Sequence, residues 1–537
     1  MRSPCRLLFL YAVVVIAFVA ARLVREPYDD SYFFKRIALH LLDHGTLAWN
    51  VAEGPVFGVT SQLFQLAAVV IAALTRDHYI LSVRVVLSGC LLFAYWQLWT
   101  LTRDRDRGLA ATYAMCSAPV LYTTLSGMET ALLFAFLAAF LCSVYAQRGE
   151  QRLWLAPVLA LAVGLIRPDA LLLVAPVLLM ERWRGTRRLP LREIAILAAG
   201  GTLALSVFRW AYGSFLPLPF YAKNSIFSPY DAHFLSLSAQ VQHVRFGLFV
   251  AVALPLVIVS LRRFDATNRV LLGSVLVYET YLYFTIVEVM GMQARFYAPA
   301  LPLLALSAAR ALALPSTSLP SLRRVTLIGA AYVALLVLMT FAKWSPVTSR
   351  WGVDRVDAGL CIAAVLSAFL LLAACAERVN QFTLATGVAL VTTCLAVPGL
   401  RFVGWSELSD NAYLNRHVEH VSSHRGMDAL LRCVGDRIHV YHSEVGVTGL
   451  RFLEGNVTDL AGLLSPRWLF RGDRRFDDFC EQDRPEAIFL PHRNYRNLNR
   501  EILSGSCITH YQRVIERSSS PLYVREDLVG KYRACHP

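Results

Sequence analysis

Long apolar runs recur along the first three quarters of the chain, and they constrain its fold more than any other feature of the sequence. Leu7 to Val24, Ile80 to Leu101 and Gly359 to Ala376 are examples, and each approaches the ~20 residues that a helix needs to cross a bilayer. Hydrophobic residues make up 56% of the chain and charged residues 17%, against roughly 45–50% and 25% in an ordinary globular protein. A single soluble core cannot bury that excess, so the sequence predicts a polytopic α-helical membrane protein.

Arginine clusters between the apolar runs predict which loops face the cytoplasm. Cytoplasmic loops are enriched in Lys and Arg, which places the clusters at 103–107, 182–192 and 323–324 inside. With a cytoplasmic N-terminus the alternation predicts about 13 transmembrane helices, and an odd number leaves the C-terminal region outside. The predicted spans are 7–24, 80–101, 109–125, 130–146, 153–167, 169–182, 193–212, 246–262, 270–288, 296–312, 325–342, 357–376 and 381–400.

The positive charge of the chain is explained by membrane topology. The formal net charge is +14, but the arginines flank apolar runs instead of lining one face or motif, so membrane lipid is the expected partner and nucleic acid is not. The first apolar run has no clear small-residue cleavage site before Arg22 and is followed by many others. It therefore reads as an uncleaved helix in a bacterial plasma membrane, not as a signal peptide.

The sequence divides into two predicted parts at residue 400. Residues 1–400 form the transmembrane region, in which 25–58 is the first outer loop and 60–74, with only about 15 apolar residues, is too short to span and suits an interfacial helix. Residues 401–537 have a mixed polar composition with β-type stretches at 437–441 and 487–490. They predict a soluble α/β domain on the periplasmic or extracellular side.

Four of the eleven cysteines fall in this predicted outer domain: Cys433, Cys480, Cys507 and Cys535. An exported domain favours disulfides, and four cysteines allow three pairings, between which the sequence does not choose. Four buried thiols are the alternative. No CxxC or His/Cys spacing indicates zinc.

Ionisable residues collect on the outer side of the predicted topology. They are Asp29, Asp30, Glu129, Arg167, Asp169, Lys223, Glu288 and Arg295. Such groups are costly at the edge of the hydrocarbon and tend to line a cavity or to pair with one another. Their clustering predicts a site that faces outward.

An acidic pair, Asp29–Asp30, directly follows the first predicted span. One reading is helix capping, with Asp30 or Ser31 at the start of an amphipathic helix from Phe33 to Leu42. The other is catalytic: one carboxylate takes the proton of a hydroxyl as that hydroxyl attacks. The neighbouring carboxylate would orient the first, raise its pKa by repulsion, or hold a divalent cation. The metal requirement stays open, and no other cofactor is implied.

Three cations on the same side are candidate phosphate ligands, since guanidinium and ammonium groups stabilise the charge that develops on a departing phosphate. Arg295 lies at the entry of an apolar helix, and Lys223 follows a loop opened by Pro217 and Pro219. Interfacial snorkelling is the alternative for both. For Arg167 the alternative is an ion pair with Asp169 across a helix break at Pro168.

Ten short segments follow one another along the chain in a recognisable order. They are Tyr28–Tyr32, His44–Gly45, Trp49–Val51, Gly58–Ser61, Ser126–Ala131, Arg167–Asp169, Leu216–Lys223, Ala294–Tyr297, Ser443–Gly446 and Thr458–Leu463. In this order they resemble the GT-C fold glycosyltransferases that use lipid-phosphate sugars, and the likeness is closest to actinobacterial terminal arabinofuranosyltransferases of the cell wall and their bacterial relatives. Each is a weak signal alone, whereas their order on a compatible topology is more specific.

The resemblance implies a polyprenyl-phosphate-linked sugar donor, a glycan acceptor of the cell envelope and an outward-facing active site. Carried over by position, Asp29 is the general base and Asp30 its partner. We expect Arg295, Lys223 and Arg167 to bind the donor phosphate. The candidate substrate-binding residues are Tyr28, His44, Glu129, Asp169, Tyr221 and Glu288. This chain departs from the family at Glu444–Val445–Gly446, where an acid–glycine pair is common, and at Glu53–Gly58, where the family often has an arginine. The departures leave the acceptor and the sugar open.

Alternatives remain at three levels. Within GT-C enzymes, the sugar could be mannose or aminoarabinose, transferred to protein or lipid. A transporter or flippase for a lipid-linked glycan would show repeated halves and mid-span charges, neither of which is evident. A non-catalytic assembly protein is the third class. The sequence does not decide between retention and inversion of the sugar configuration.

Overall fold

The computed structural model describes most of the chain. The described residues are 27–102, 118–145, 154–227, scattered positions from 242 to 261, 263–287, 294–312, 405–420, 424–492, 495–515 and 521–535. The spans predicted at 7–24, 325–342, 357–376 and 381–400 lie outside them, as does Glu288. The described residues form two compact units. The helical unit contains those within 84–202 and 242–312, and the sheet-containing unit those within 27–83, 203–227 and 405–535.

Apolar helices make up the helical unit. They are α3 (Tyr79–Thr102, which begins in the other unit), α4 (Ala118–Leu125), α5 (Thr130–Tyr145), α6 (Leu155–Ile166), α7 (Leu171–Thr186), α8 (Leu191–Tyr212, whose second half belongs to the other unit), α10 (Ala266–Thr285) and α11 (Leu301–Leu312). Within the unit, α7 packs on α10, and α5 packs on α6. Their contact faces consist of small and aliphatic residues such as Ala160, Val163 and Leu173, which are fully buried.

Two of the described helices are long and apolar enough to cross a membrane, at Arg76–Leu101 and Leu191–Tyr212. They coincide with the spans predicted at 80–101 and 193–212. The helices at 130–145 and 155–166 also begin within two residues of their predicted spans, although each is shorter than 18 residues. The total of about 13 spans stays a prediction.

The sheet-containing unit combines three distant segments of the chain. Its helices are α1 (Ser31–His44), α2 (Gln62–Leu74), α9 (Leu218–Lys223), α12 (Asp410–His420), α13 (Met427–Cys433), α14 (Val445–Arg451), α15 (Pro466–Leu469), α16 (Phe476–Asp483), α17 (Arg496–Ser504) and α18 (Glu526–Cys535). The predicted interfacial helix at 60–74 corresponds to α2, which packs against α1. The first outer loop and the C-terminal segment therefore belong to one compact unit.

A five-stranded sheet forms the centre of the C-terminal segment. Its strands are β1 (His439–His442), β2 (Asn456–Asp459), β3 (Ala487–Phe489), β4 (Tyr511–Ile515) and β5 (Leu522–Arg525), in the order β2-β1-β3-β5-β4. β2, β1 and β3 run parallel, and β5 pairs antiparallel with both β3 and β4. The stretches predicted as β at 437–441 and 487–490 are β1 and β3. Parallel strands need covered faces, and the aromatic side chains of Tyr441, Trp468, Phe476 and Phe479 bury one of them.

Both cysteine pairs of this segment form disulfides. Cys480 of α16 is bonded to Cys507 inside the core beside the sheet, and Cys433 of α13 is bonded to Cys535 at the end of α18. The sequence alone was compatible with three disulfide pairings or with four buried free thiols. The second bond closes a loop with a sequence separation of 102 residues, so it constrains the unfolded chain over most of the segment.

Candidate functional site

The acidic pair lies immediately before α1, and both carboxylates are buried. Asp29 and Asp30 are each 6% exposed. Asp30 occupies the N-cap position of α1, but its side chain makes no capping hydrogen bond. The Ser31 hydroxyl donates instead to the carbonyl of Tyr28 at 2.7 Å. Capping of α1 by a carboxylate, the alternative left open by the sequence, therefore does not account for this pair.

Asp29 is held by the backbone of α14. The N–H groups of Gly446 and Val447 donate to its two carboxylate oxygens at 2.7 and 2.8 Å. These amides lie in the first helical turn, where no carbonyl within the helix can accept from them. The approach is so close that a Cβ on Gly446 would overlap the carbonyl oxygen of Asp29. Glycine is thus required at 446 for the contact to form.

Two further acids lie near the pair, and the sequence reasoning did not count either as a site residue. The carboxylates of Glu444 and Asp459 interact electrostatically with Asp30, and Glu444 also with Asp29. Asp459, at the end of β2, accepts backbone N–H bonds from Ala461, Leu463 and Leu464 at 2.7–3.0 Å. It therefore fixes the turn after β2. Glu444 is partly exposed, and among the described residues its carboxylate forms no hydrogen bond or ion pair.

Burial and mutual repulsion raise the proton affinity of this acidic cluster. Burial raises the pKa of Asp29 to about 6, although the amides of Val447 and Gly446 oppose the rise; the negative charge of Asp30 adds to it. Burial, with repulsion from Asp29 and Asp30, raises the pKa of Glu444 to about 8, and burial raises that of Asp459 to about 7. Near neutral pH the cluster therefore holds protons that free carboxyls would have lost.

Replacing Glu444 by Gln is expected to change how stability depends on pH. The folded-state pKa of Glu444, about 8, lies above its ordinary value of 4.5, so its contribution to stability is complete below about pH 4.5 and is lost as the pH rises through 8. The variant should match the wild type near pH 4.5 and exceed it near pH 8.5 by on the order of 3 kcal/mol, less than the full shift implies because the side chain is partly exposed to solvent. Thermal unfolding in detergent measures this difference. The exposed Glu526→Gln is the control, and equal curves for Glu444→Gln and wild type at both pH values would contradict the expectation.

The opposite end of α14 is held by a buried arginine. Arg36 of α1 is fully buried, and its guanidinium donates to the carbonyls of Phe452 and Gly455 at 2.8 Å each and to that of Gly449. Its Nε donates to the carbonyl of Trp49 at 2.8 Å. A cation at the C-terminal end of a helix satisfies orphan carbonyls and complements the helix dipole. α1 thus binds α14 at both ends.

In the helical unit, Arg167 and Asp169 form an ion pair across the break between α6 and α7. The Arg167 guanidinium donates through Nε and Nη2 to the two carboxylate oxygens of Asp169, at 3.1 and 2.5 Å. The hydroxyl of Tyr278 lies 3.2 Å from Asp169 and donates to the carbonyl of Phe296 at 2.7 Å. This ion pair is the alternative that the sequence left open for Arg167. Glu129, also buried, interacts electrostatically with the same guanidinium.

Arg295, from a different segment of the helical unit, lies against the same phenylalanine ring as Arg167. Its guanidinium lies over the ring of Phe296 at 5.1 Å, and that of Arg167 lies over the same ring at 5.3 Å. Arg295 is 5% exposed and follows Ala294, whose φ of 57° is a left-handed conformation that is uncommon for a residue with a side chain. Such strain tends to occur where a structure must aim a functional group. The helical unit therefore brings Glu129, Arg167, Asp169 and Arg295 together.

Lys223 and Tyr221 belong to α9 of the sheet-containing unit. α9 is joined to the end of the first outer loop by the Leu218 N–H, which donates to the carbonyl of Phe57 at 2.8 Å. The ring of Tyr221 meets that of Phe470 edge to face at 5.4 Å. Lys223 is the last residue of the helix and is partly exposed.

His44 does not join the acidic pair. It is the last residue of α1 and is exposed, so the length of the 14-residue helix, about 20 Å, separates it from Asp29 and Asp30. Its ring packs edge to face with that of His40 at 5.8 Å. Among the residues that the structure describes, no group of three His, Cys, Asp or Glu side chains is placed to hold a metal ion.

No family model and no curated protein matches the chain. Two crystal structures do: ArnT from Cupriavidus metallidurans in the apo state, and the same protein bound to undecaprenyl phosphate. Each has a TM-score of 0.57 and 13% identity, over 96% of this chain and 97% of that chain. At this identity the likeness shows a shared fold over nearly the whole length. It agrees with a helical membrane protein, and a special closeness to arabinofuranosyltransferases stays a prediction.

Proposed function

We propose that the chain is a GT-C glycosyltransferase that moves a sugar from a polyprenyl-phosphate donor to a glycan acceptor on the outer side of the bacterial plasma membrane. One observation carries the proposal: a buried carboxylate, Asp29, is oriented by two backbone amides beside a second acid. The fold shared with ArnT supports it. A buried, oriented carboxylate suits proton removal from a hydroxyl.

The base in this proposal is Asp29. Its pKa of about 6 leaves the carboxylate ionised at neutral pH. Because this pKa lies near the working pH, the carboxylate can still accept a proton effectively. As the bond between C1 of the sugar and the phosphate oxygen breaks, its electron pair stays on the polyprenyl phosphate. The acceptor oxygen bonds to C1, and its proton goes to Asp29. The positive charge that develops on the sugar ring is of the type common to glycosyl transfer.

In this proposal the donor phosphate is bound by cationic side chains, for which Arg167, Arg295 and Lys223 are the candidates. Arg167 and Arg295 share the Phe296 ring, and Arg167 is already neutralised by Asp169. We assign the phosphate to Arg295, which is buried and follows Ala294 in its left-handed conformation, with Arg167 and Asp169 fixing the ring against which it packs. Lys223, at the end of α9, is the third cation. That an ArnT structure binds undecaprenyl phosphate supports a donor of this class.

The sugar is proposed as arabinofuranose or a related pentose, from the resemblance of the sequence segments. Aminoarabinose and mannose are the alternatives. Tyr28, Glu129 and Tyr221 are the proposed substrate contacts. A divalent cation is not needed for the step described, and the acid pair is where one would bind.

Transfer from labelled donors tests the proposal. Purified protein in detergent is incubated with polyprenyl-phosphate arabinofuranose, aminoarabinose and mannose, and sugar transfer to envelope glycan and lipid acceptors is measured. Lys223→Met is expected to raise KM for the donor about 10-fold, the cost of one charged contact of roughly 1.4 kcal/mol, whereas Lys531→Met, an exposed lysine of α18, should not. Movement of intact lipid-linked glycan without transfer would indicate a transporter, and no activity with any donor would reject the proposal.

A further inference from the structure

We propose that α14 is a positioning element of the active site, so that the C-terminal segment sets the orientation of the base. This inference rests on the proposed function, in which Asp29 is the base. It assigns a role to Gly446 and Val447, two residues whose side chains carry no chemistry of their own. Their backbone amides are what the site uses.

The two hydrogen bonds fix the carboxylate in orientation as well as in place. One amide binds each oxygen, at 2.7 and 2.8 Å, so rotation of the carboxylate about its bond to Cβ would break both. The remaining lone pairs of the two oxygens then point in set directions. A reacting group held in this way needs no reorganisation when its substrate arrives.

The spacing of the contacts at the two ends of α14 fixes its register against α1. Asp29 and Arg36 are seven residues apart, about 10 Å along a helix, and Gly446 and Phe452 are six apart, about 9 Å. A carboxylate thus meets the N-terminal end of α14 while a guanidinium meets its C-terminal end. A shift of α14 by one turn would lose both sets of bonds. The orientation of Asp29 therefore depends on the packing of α14 against α1 along its whole length, and not on a loop alone.

The amides also affect the acidity of the base. Hydrogen bonds to a carboxylate stabilise its charged form, and those from Val447 and Gly446 lower the pKa of Asp29 against the effect of burial. Removing one amide should raise this pKa. A purely structural role for α14 would not shift the pH dependence of transfer.

Val447→Pro tests the inference, because proline lacks the N–H and is tolerated in the first turn of a helix. Its matched control is Val445→Pro in the same turn, since among the described residues no hydrogen bond of the Val445 N–H is seen. We expect Val447→Pro to lower kcat about 10-fold with little change in donor KM, and to move the acidic limb of the pH–rate profile up by about one unit. Val445→Pro should keep both at wild-type values.

Folding is checked separately by the two disulfides and by thermal unfolding. If Val447→Pro does not fold, Gly446→Ala, whose Cβ would displace Asp29, is compared with Gly530→Ala, which has open space. A folded Val447→Pro protein with a wild-type pH profile, or a Val445→Pro protein with the same shift, overturns the inference.

A second readout separates this inference from the proposed function. If the wild type transfers no sugar, the pH dependence of thermal unfolding still reports on Asp29. Its raised pKa makes stability fall as the pH rises from about 4 to about 6. Loss of one amide should extend this fall by about one pH unit. An unchanged melting profile in Val447→Pro would show that the amide does not hold Asp29.

Discussion

Replacement of Asp29 by Asn is expected to reduce kcat by about 10²–10⁴-fold, the range that a positioned general base contributes. Asn has nearly the same shape, and its amide oxygen can still accept from one of the two α14 amides, so the fold should survive. It cannot take the proton of the acceptor hydroxyl. Single-turnover transfer from labelled donor measures the loss, and donor affinity should stay within a few-fold of wild type.

Two further variants are measured beside Asp29→Asn: Asp30→Asn as a comparison, and the exposed Asp473→Asn as a control. Asp30 has the same burial as Asp29, but the amides of Gly446 and Val447 bind Asp29. Loss of a neighbour that only orients the base or raises its pKa should cost less than loss of the base itself. Asp473→Asn should be neutral. Transfer by Asp29→Asn at the wild-type rate would eliminate Asp29 as the base and direct attention to Asp30.

Replacement of Arg36 by Met is expected to destabilise the protein by about 3–5 kcal/mol, the usual cost of leaving several buried partners of a charge unsatisfied. Four backbone carbonyls, those of Trp49, Gly449, Phe452 and Gly455, would lose their donor. The side-chain volume is largely kept by Met, so the effect arises from the lost hydrogen bonds. Thermal unfolding and protease sensitivity of the C-terminal segment measure it.

Arg36→Lys separates charge from geometry. Lys keeps the charge but not the planar fork of donors, so it should recover only part of the lost stability. The exposed Arg533→Met is the control for removal of an arginine. If Arg36→Met unfolds at the wild-type temperature, the contact at the C-terminal end of α14 neither stabilises the unit nor fixes the register of α14 against α1.

Some of this architecture could be predicted from the sequence because its cause is local. Apolar length identified the helices at 79–102 and 191–212. The ion pair of Arg167 with Asp169 follows from two opposite charges two residues apart at a proline break. Short runs of β-type residues predicted β1 and β3. The length of the apolar run at 60–74 predicted a helix too short to span, and α2 lies there; its position in the membrane interface stays a prediction.

Other features could not be predicted, since they depend on contacts between distant segments. Arg36 looks like one polar residue of an amphipathic helix, yet it is fully buried against carbonyls 413–419 residues away. Glu444 was visible only as a departure from a family motif, and its proximity to Asp29 depends on α14 packing against α1. His44 was named from the family resemblance, and its distance from the acidic pair depends on the length of α1, which the resemblance alone does not give.

The bond between Asp29 and Gly446 spans a sequence separation of 417 residues, which has a consequence for biosynthesis. At about 5–20 residues per second, the ribosome needs tens of seconds after exposing the acidic loop before α14 exists to complete it. A prematurely terminated chain therefore lacks the two backbone amides that hold the Asp29 carboxylate, and only a chain extended through α14 can orient it.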